Sequence, residues 1–246
     1  MYNKIYLLFL IIFILFIFTT YRKIEFFDTN FPFLNWKINF FKKPCKKIIK
    51  INNNCIIYKN FFTSKKCDKI INISKKYDLD LDNDIDEKPL YQIDLFYDNK
   101  IYKKELFKHV CVNKIRNLLN NIKLPENKKI YDLDFVFFRK YKNNERKSFT
   151  IHYDEDHVTT MILLSDKNNF KGGDFFLFDK NTSQEINYVD DYNTDEREQF
   201  IKNYKNLPKM DLDKGDLILF TSNQFHGTID ISSGVRYTLI FFWNIK

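Results

Sequence analysis

Between residues 130 and 243 the chain breaks into seven short runs suited to strands, separated by turn signals. The runs are 130–140, 148–154, 158–164, 174–178, 216–221, 225–231 and 235–243. Gly172-Gly173 and Gly215 punctuate them. Runs of this length and number cannot make a helical bundle, and they predict an antiparallel sandwich or jelly roll. Two helices are expected ahead of it. Ser64 reads as the N-cap of one over residues 65–77, with Cys67, Ile70, Ile71 and Ile73 on its apolar side. The other spans 104–123, where Phe107, Cys111, Ile115, Leu118 and Ile122 recur at steps of three and four and Pro125 ends it. The fold class is therefore mainly β with flanking helices (α+β). An acidic loop, 78–87, and a long polar insertion, 179–213, complete this part; a connection as long as the second is functional or mobile as a rule.

The N-terminus has a different texture. Residues 5–18 are uninterruptedly apolar and, with Thr19, Thr20 and Tyr21, reach about 17 residues, the short end for a membrane span. No small-x-small cleavage site follows, so an uncleaved anchor helix is expected. Basic residues flank it on both sides, so charge does not orient it. The expected organisation is an anchor over 1–21, a stalk over 22–50, a helical support region over 51–128 and a β domain over 129–246. The four cysteines, Cys45, Cys55, Cys67 and Cys111, form no C-x-x-C pair, which argues against a zinc or redox site and leaves disulfides and buried thiols both open. Asn72 and Asn181 each open an N-x-S triplet, the first inside an expected helix. A net charge of +8 comes from scattered lysines, without an arginine stripe interleaved with aromatics, so no nucleic-acid partner is expected.

The chemistry lies in His152-Tyr153-Asp154, His226 and Arg236. Residues i and i+2 of a strand face the same way, so His152 and Asp154 are expected to point into one space, joined by His226. Two imidazoles and one carboxylate make the facial triad of a non-haem iron(II) centre, with positions left open. His157 has no carboxylate two residues later and reads as a loop residue. His109 falls on the expected second helix and reads as structural. Arg236 and Thr238 alternate on the last strand, directed inward among Leu239, Phe241 and their neighbours. A guanidinium there requires an anion. The expectation is the far carboxylate of 2-oxoglutarate, with Thr238 and Tyr141 adding hydroxyls.

Several stretches, FFRKYKNNERKSFTIHYDED, FKGGDFFLF and KGDLILFTSNQFHGTIDISSGVRYTLIFFW, hold His-x-Asp, Gly-Gly, Lys-Gly-Asp, the distal His and Gly-x-Arg-Tyr-x-Leu in one order. With CIIYKNFFTSKKCDKIINISKKY, they resemble the iron(II)- and 2-oxoglutarate-dependent dioxygenase superfamily, and within it the prolyl 4-hydroxylase group, over about residues 55–246. The resemblance implies a double-stranded β-helix, Fe(2+) on His152, Asp154 and His226, and 2-oxoglutarate on Arg236. It also implies O2 as co-substrate, L-ascorbate as the reductant that restores the iron, and hydroxylation of a peptidyl side chain, proline ahead of lysine. It places the catalytic domain in the endoplasmic reticulum lumen. Two departures stand out. Collagen-type prolyl hydroxylases usually carry lysine where Arg236 stands, and the acidic insertion lies where it would reach the substrate mouth and favour basic peptides. The arginine pair of the nucleic-acid demethylases is absent, since Phe242 stands six residues past Arg236. A related oxygenase with a non-protein substrate and a non-catalytic, membrane-tethered binding module are the alternatives.

Overall fold

The computed structural model describes residues 47–79, 89–122, 131–179, 208–222 and 224–245. Strands are numbered along the chain. The larger sheet contains β1 (Lys47–Asn52), β2 (Cys55–Lys59), β3 (Gln92–Tyr97), β4 (Lys100–Ile101), β5 (Tyr131–Lys142), β7 (Val158–Leu163), β8 (Phe170–Gly172), β10 (Leu217–Thr221) and β12 (Ile231–Ile245). Its order is β1-β2-β10-β7-β12-β5-β3-β4, with β8 paired to the start of β12. The smaller sheet is β6 (Phe149–His152), β11 (Gln224–Thr228) and β9 (Phe175–Asp179), in that order. The helices are α1 (Ser64–Ser74), α2 (Lys104–Phe107) and α3 (Val112–Asn120).

Strand periodicity assigns each face of the larger sheet. On β12, Leu239, Phe241 and Trp243 are fully buried in the core that also takes Cys67 and Ile70 of α1 and Ile115 and Leu119 of α3. The Trp243 indole N–H is satisfied there by Thr160 Oγ1 at 3.0 Å. The alternate residues of β12 face the smaller sheet. Ile218 and Phe220 of β10, with Met161 and Leu163 of β7, pack on Phe175 and Leu177 of β9. Two sheets closed over one apolar interior make a jelly roll with helices on its outer side.

Asp216 ties the N-terminal strands to this barrel. Its carboxylate is fully buried and meets Lys59 Nζ at 2.5 Å. It also accepts the Asn60 amide at 2.8 Å and the Asp213 amide at 2.7 Å. The preceding Gly215 sits at φ 87, and a Cβ there would lie 2.2 Å from the Phe62 carbonyl oxygen, so only glycine fits this turn.

Five expectations need correction. The cap of α1 is Thr63, whose hydroxyl accepts the Lys66 amide, not Ser64. The expected 104–123 helix is two helices. Leu106 and Val110 are buried four apart, as are Ile115 and Leu119, but Val110 and Ile115 are five apart, and Cys111 takes a left-handed φ of 58 to rephase them. His109 lies in that break rather than on a helix. Residues 47–50, expected as stalk, belong to β1 and pair with β2. The hairpin β3–β4 is an addition to the expected elements. It carries its own signal, because Asp98 and Asn99 both take positive φ in a two-residue turn and Ile93 and Leu95 alternate with polar neighbours.

The residues expected as a helical support region thus supply β2, β3 and β4 to the larger sheet. Cys55 and Cys67 are buried thiols, each pushed up to about 12 by burial, and Cys111 is also free. Among the described residues no helix is long and apolar enough to cross a membrane; the expected anchor over 1–21, most of the acidic loop and the core of the polar insertion lie outside them.

Replacing Asp216 by Ala leaves two backbone amides and Lys59 without their buried acceptor. It should lower unfolding stability by about 3 kcal/mol, read as a shifted denaturation midpoint.

Candidate metal and co-substrate site

His152 and His226 meet because β6 and β11 pair with these two residues directly opposite. Their ring centroids are 4.2 Å apart. Phe149 stands edge-on to His152 at 4.5 Å, and Phe220 lies against His226 at 4.6 Å, which fixes both ring planes. Gly227 follows His226, and a Cβ on it would lie 2.6 Å from Phe176 Cζ and 2.8 Å from the Phe149 carbonyl oxygen. This close strand approach is what brings the histidine rings together.

Each Nδ1 is bound to a backbone carbonyl two residues upstream. His152 Nδ1 meets the Thr150 oxygen at 2.9 Å, and His226 Nδ1 meets the Gln224 oxygen at 3.1 Å. A carbonyl only accepts, so each Nδ1 carries a proton, and in the neutral ring Nε2 presents its lone pair. Both Nε2 atoms face Asp154, at 3.5 Å from Oδ1 for His152 and 3.5 Å from Oδ2 for His226.

Asp154 reaches this place differently from the expectation. β6 ends at His152, so Asp154 lies in the following turn rather than on the same strand face. Thr159 of β7 holds it by donating its hydroxyl to Oδ2. Burial disfavours its charge, but the two imidazoles and the Thr159 hydroxyl outweigh burial and hold the carboxyl at about 2. Burial pushes His226 down to about 4. A full imidazolium at His226 would be needed to depress Asp154 so far, and its burial opposes one. The direction that stands for both is an ionised carboxylate facing a neutral imidazole.

The ligand-type atoms of His152, Asp154 and His226 lie within 4.8 Å of one another. Two lone pairs and a carboxylate converging with no proton between them fit a divalent cation, and the donor set matches a facial triad for iron(II). The tied Nδ1 groups are the outer hydrogen bonds that such histidine ligands carry.

Arg236 is only 2% exposed. Its Nη1 has no hydrogen-bond partner, and its Nη2 finds only Met161 Sδ at 4.0 Å. The guanidinium lies over the Tyr141 ring at 5.3 Å. Burial lowers its proton affinity, while Tyr141 and Asp174 oppose that shift; Asp174 itself pairs with Lys209 at 2.8 Å. Gly173, at φ 66, leaves room for the arginine stem, since a Cβ there would sit 3.3 Å from Arg236 Cδ. Thr238, fully buried one step along the same face, has an Oγ1 without a partner. A buried cation and a buried hydroxyl, both unsatisfied, fit a carboxylate. Their face differs from the expected one: Leu239 and Phe241 point to the opposite side, and Arg236 and Thr238 share theirs with Ile240 and Phe242.

A cavity of about 490 Å3 opens beside the triad. His152, Asp154 and His226 are in its wall, as are Tyr141 and Met161, the two residues that Arg236 touches. Sequence reasoning missed Arg139, Gln92 and Thr159 in this wall. Arg139 is buried, donates to Gln92 Oε1 at 2.6 Å and lies over Phe149 at 4.7 Å, hence next to the His152 ring. Its signal is its place on β5, two residues before Tyr141. His157 is an exposed loop residue, as expected, with Nδ1 3.0 Å from Asn244 Oδ1.

His226 has an ordinary value of 6.5 and titrates near 4 in the fold. Between those values the unfolded chain holds a proton that the folded one lacks. Metal-free protein should therefore lose stability as pH falls from about 6.5 to about 4, and His226→Gln should flatten that slope. Denaturant midpoints measured across this range check it.

No protein-family model matches this chain, and no curated protein matches it in sequence. Solved structures do match. An oxidoreductase of the 2OG-Fe(II) oxygenase family from Burkholderia pseudomallei superposes with a TM-score of 0.54 at 10% identity, over 78% of this chain and 85% of that one. A prolyl hydroxylase from Trichoplax adhaerens, in complex with a peptide fragment of the hypoxia inducible factor oxygen degradation domain, gives 0.54 at 14% identity over 79% and 84%. HygX from Streptomyces hygroscopicus, with nickel and 2-oxoglutarate bound, gives 0.52 at 11% identity over 78% and 82%. At these identities the likeness is one of fold, and the chain has the fold of the 2OG-Fe(II) oxygenases in the form that prolyl hydroxylases also take.

Proposed function

We propose that this protein is an iron(II)- and 2-oxoglutarate-dependent dioxygenase that hydroxylates a peptidyl side chain, proline first among the candidates. One observation carries the reading: two histidines and an ionised Asp154, with their ligand-type atoms within 4.8 Å of one another, share a cavity with the surroundings of a buried arginine that pairs with no carboxylate among the described residues. The triad alone would suit a purely structural cation, and the arginine alone would suit any small anion. Together they meet the two requirements of one reaction, a cation site with open positions and a receptor for a dicarboxylate.

His152 and His226 would offer Nε2 to the metal, and Asp154 a carboxylate oxygen. The Thr150 and Gln224 carbonyls keep both rings in the required tautomer. Iron(II), when bound, supplies the activation of O2 that couples oxidative decarboxylation of 2-oxoglutarate, giving succinate and CO2, to insertion of oxygen into a C–H bond. Arg236 binds the distal carboxylate of 2-oxoglutarate, and Thr238 donates its hydroxyl to the same group. Tyr141 faces the Arg236 guanidinium and covers this end of the cavity. Phe149, Phe175 and Phe220 pack around the histidine rings and exclude water from them, which strengthens the electrostatics inside.

L-ascorbate belongs to this reading as the reductant, on the resemblance to prolyl 4-hydroxylases. The peptide substrate is supported by the prolyl hydroxylase fold. An N-terminal anchor is proposed on the apolar run of residues 5–18, and a lumenal placement on the resemblance to prolyl 4-hydroxylases.

With iron(II), ascorbate and labelled 2-oxoglutarate, the protein should form succinate, and a proline-containing peptide should raise the rate. Asp154→Ala should abolish succinate formation while the far-ultraviolet circular dichroism stays native; persistent turnover would refute the triad. Arg236→Ala should weaken 2-oxoglutarate binding by about 3–5 kcal/mol, the cost of leaving one partner of a buried ion pair alone. An unchanged affinity in calorimetry would place the co-substrate elsewhere.

A further inference from the structure

The cavity beyond the triad has a chemical polarity that the proposed reaction leaves unused. Arg236, Thr238, Ile240 and Phe242 share one face of β12, so Phe242 stands about 20 Å along the strand from the arginine. At that far end three phenylalanines line the cavity. Phe135 and Phe137 are 4.9 Å apart between ring centroids, Phe137 and Phe242 5.5 Å, and Phe135 and Phe242 6.1 Å. The interplanar angles, 43°, 65° and 53°, show that the rings are tilted rather than stacked on each other, and the Arg139 guanidinium lies over Phe137 at 4.8 Å, which leaves Phe135 and Phe242 to meet a ligand.

Carboxylates stand beside these rings. Glu155 and Asp156 line the cavity. Asp156 is half-buried and takes a hydrogen bond from Asn244, two residues beyond Phe242 on the same face of β12. Asp134, in the bulge of β5 opposite Phe242, adds its charge. Among the described residues no lysine or arginine pairs with any of the three. That is unusual in a chain with 40 basic against 32 acidic residues, where Glu145, Asp211 and Asp213 all meet lysines. Aromatic faces with a carboxylate at their edge bind cations, and alkyl stems pack on the same rings.

The aromatic wall continues outward. Tyr97 meets Phe135 edge-on at 5.4 Å and is 55% exposed, and Ile101 and Tyr102 of the same hairpin are 43% and 50% exposed. A chain running out of the cavity past Phe135 would meet this surface, which a small molecule held inside would not reach.

We propose that the far end of this cavity takes the cationic side chain, lysine or arginine, of a residue next to the one that the substrate polypeptide presents to the triad, with its methylene stem on Phe135 and Phe242 and its charge against Asp156 and Glu155. The inference rests on the cavity being the substrate side of the proposed oxygenase, and it names what that side selects. The opposite ends of the face then sort the two reactants. The guanidinium of Arg236 takes the dianionic co-substrate, and the carboxylates repel it from the far end.

The test is direct binding to the full chain under argon, with and without iron(II) and 2-oxoglutarate. The probes are an alanine-rich heptapeptide with a central lysine, the same peptide with norleucine, and N-acetyl-lysine methylamide. The lysine peptide should bind about tenfold tighter than the norleucine peptide. It should also bind tighter than the capped single residue, and its advantage should shrink as salt is raised. Asp156→Asn combined with Glu155→Gln should erase the preference, with thermal melting as the check on folding; if that variant does not fold, the probe comparison and its salt dependence on the native chain decide. Equal binding of lysine and norleucine peptides overturns the proposal, and a capped residue that binds as well as the heptapeptide overturns its polypeptide part. Calorimetry of 2-oxoglutarate on the same samples separates the two readings. Co-substrate binding without a lysine preference sinks this inference alone, and a lysine preference without co-substrate binding sinks the oxygenase reading alone.

Discussion

Two backbone carbonyls, those of Thr150 and Gln224, decide what the centre of this protein can hold. By taking the Nδ1 protons of His152 and His226 they turn both Nε2 lone pairs toward Asp154. The alternative tautomer would place two N–H groups against the carboxylate, making a self-satisfied polar cluster with no need of a cation. The arrangement present is electrostatically incomplete. It persists because each histidine sits on a paired strand whose register admits one ring position, and because Thr159 of the opposing sheet fixes the carboxylate. The fold, rather than local sequence, supplies the strain-free cage for an unfavourable set of charges.

A single strand organises everything else. β12 pairs with β5 on one side and β7 on the other, and period-two alternation divides its residues between two tasks. Leu239, Phe241 and Trp243 anchor the helices; Arg236, Thr238, Ile240 and Phe242 share the other face, of which Ile240 and Phe242 line the cavity. Burial of the first set holds the second in place, which matters because a buried arginine without an anion destabilises the empty protein. Binding of a carboxylate there should then stabilise the fold as well as position the ligand.

The sequence carries much of this and hides some of it for identifiable reasons. The triad is legible because His-x-Asp is short and histidine is scarce in this chain. Its geometric rationale fails in one respect, since Asp154 lies past the strand end and is placed by Thr159, a contact from another sheet that no spacing reports. The inward direction of Arg236 is legible too, but spacing pairs it with neighbours of the wrong phase. The 104–123 helix looks continuous because Phe107, Cys111, Ile115, Leu118 and Ile122 fit a helical period. The buried set follows a different phase, which the left-handed Cys111 resolves at a point where sequence offers no glycine. β3 escapes notice because its polar residues, Gln92 and Asp94, occupy the face that a half-buried strand gives to solvent. Here that face lines the cavity and joins Arg139 in a hydrogen-bonded row.

That last reversal says where function sits in this fold. On most half-buried strands a polar face means water. On β3, β5 and β12 the polar residues Gln92, Arg139, Arg236 and Thr238 are all buried, at 4%, 7%, 2% and 0% exposure. Each buried polar group costs stability unless something answers it. Gln92 Oε1 accepts from Arg139 Nη2, and Arg236 Nη1 and Thr238 Oγ1 are answered by no protein atom. A sheet with no ligand to bind could place aliphatic residues at these positions and gain stability. Arg236 and Thr238, unanswered on one face of β12, are what the proposed 2-oxoglutarate site requires.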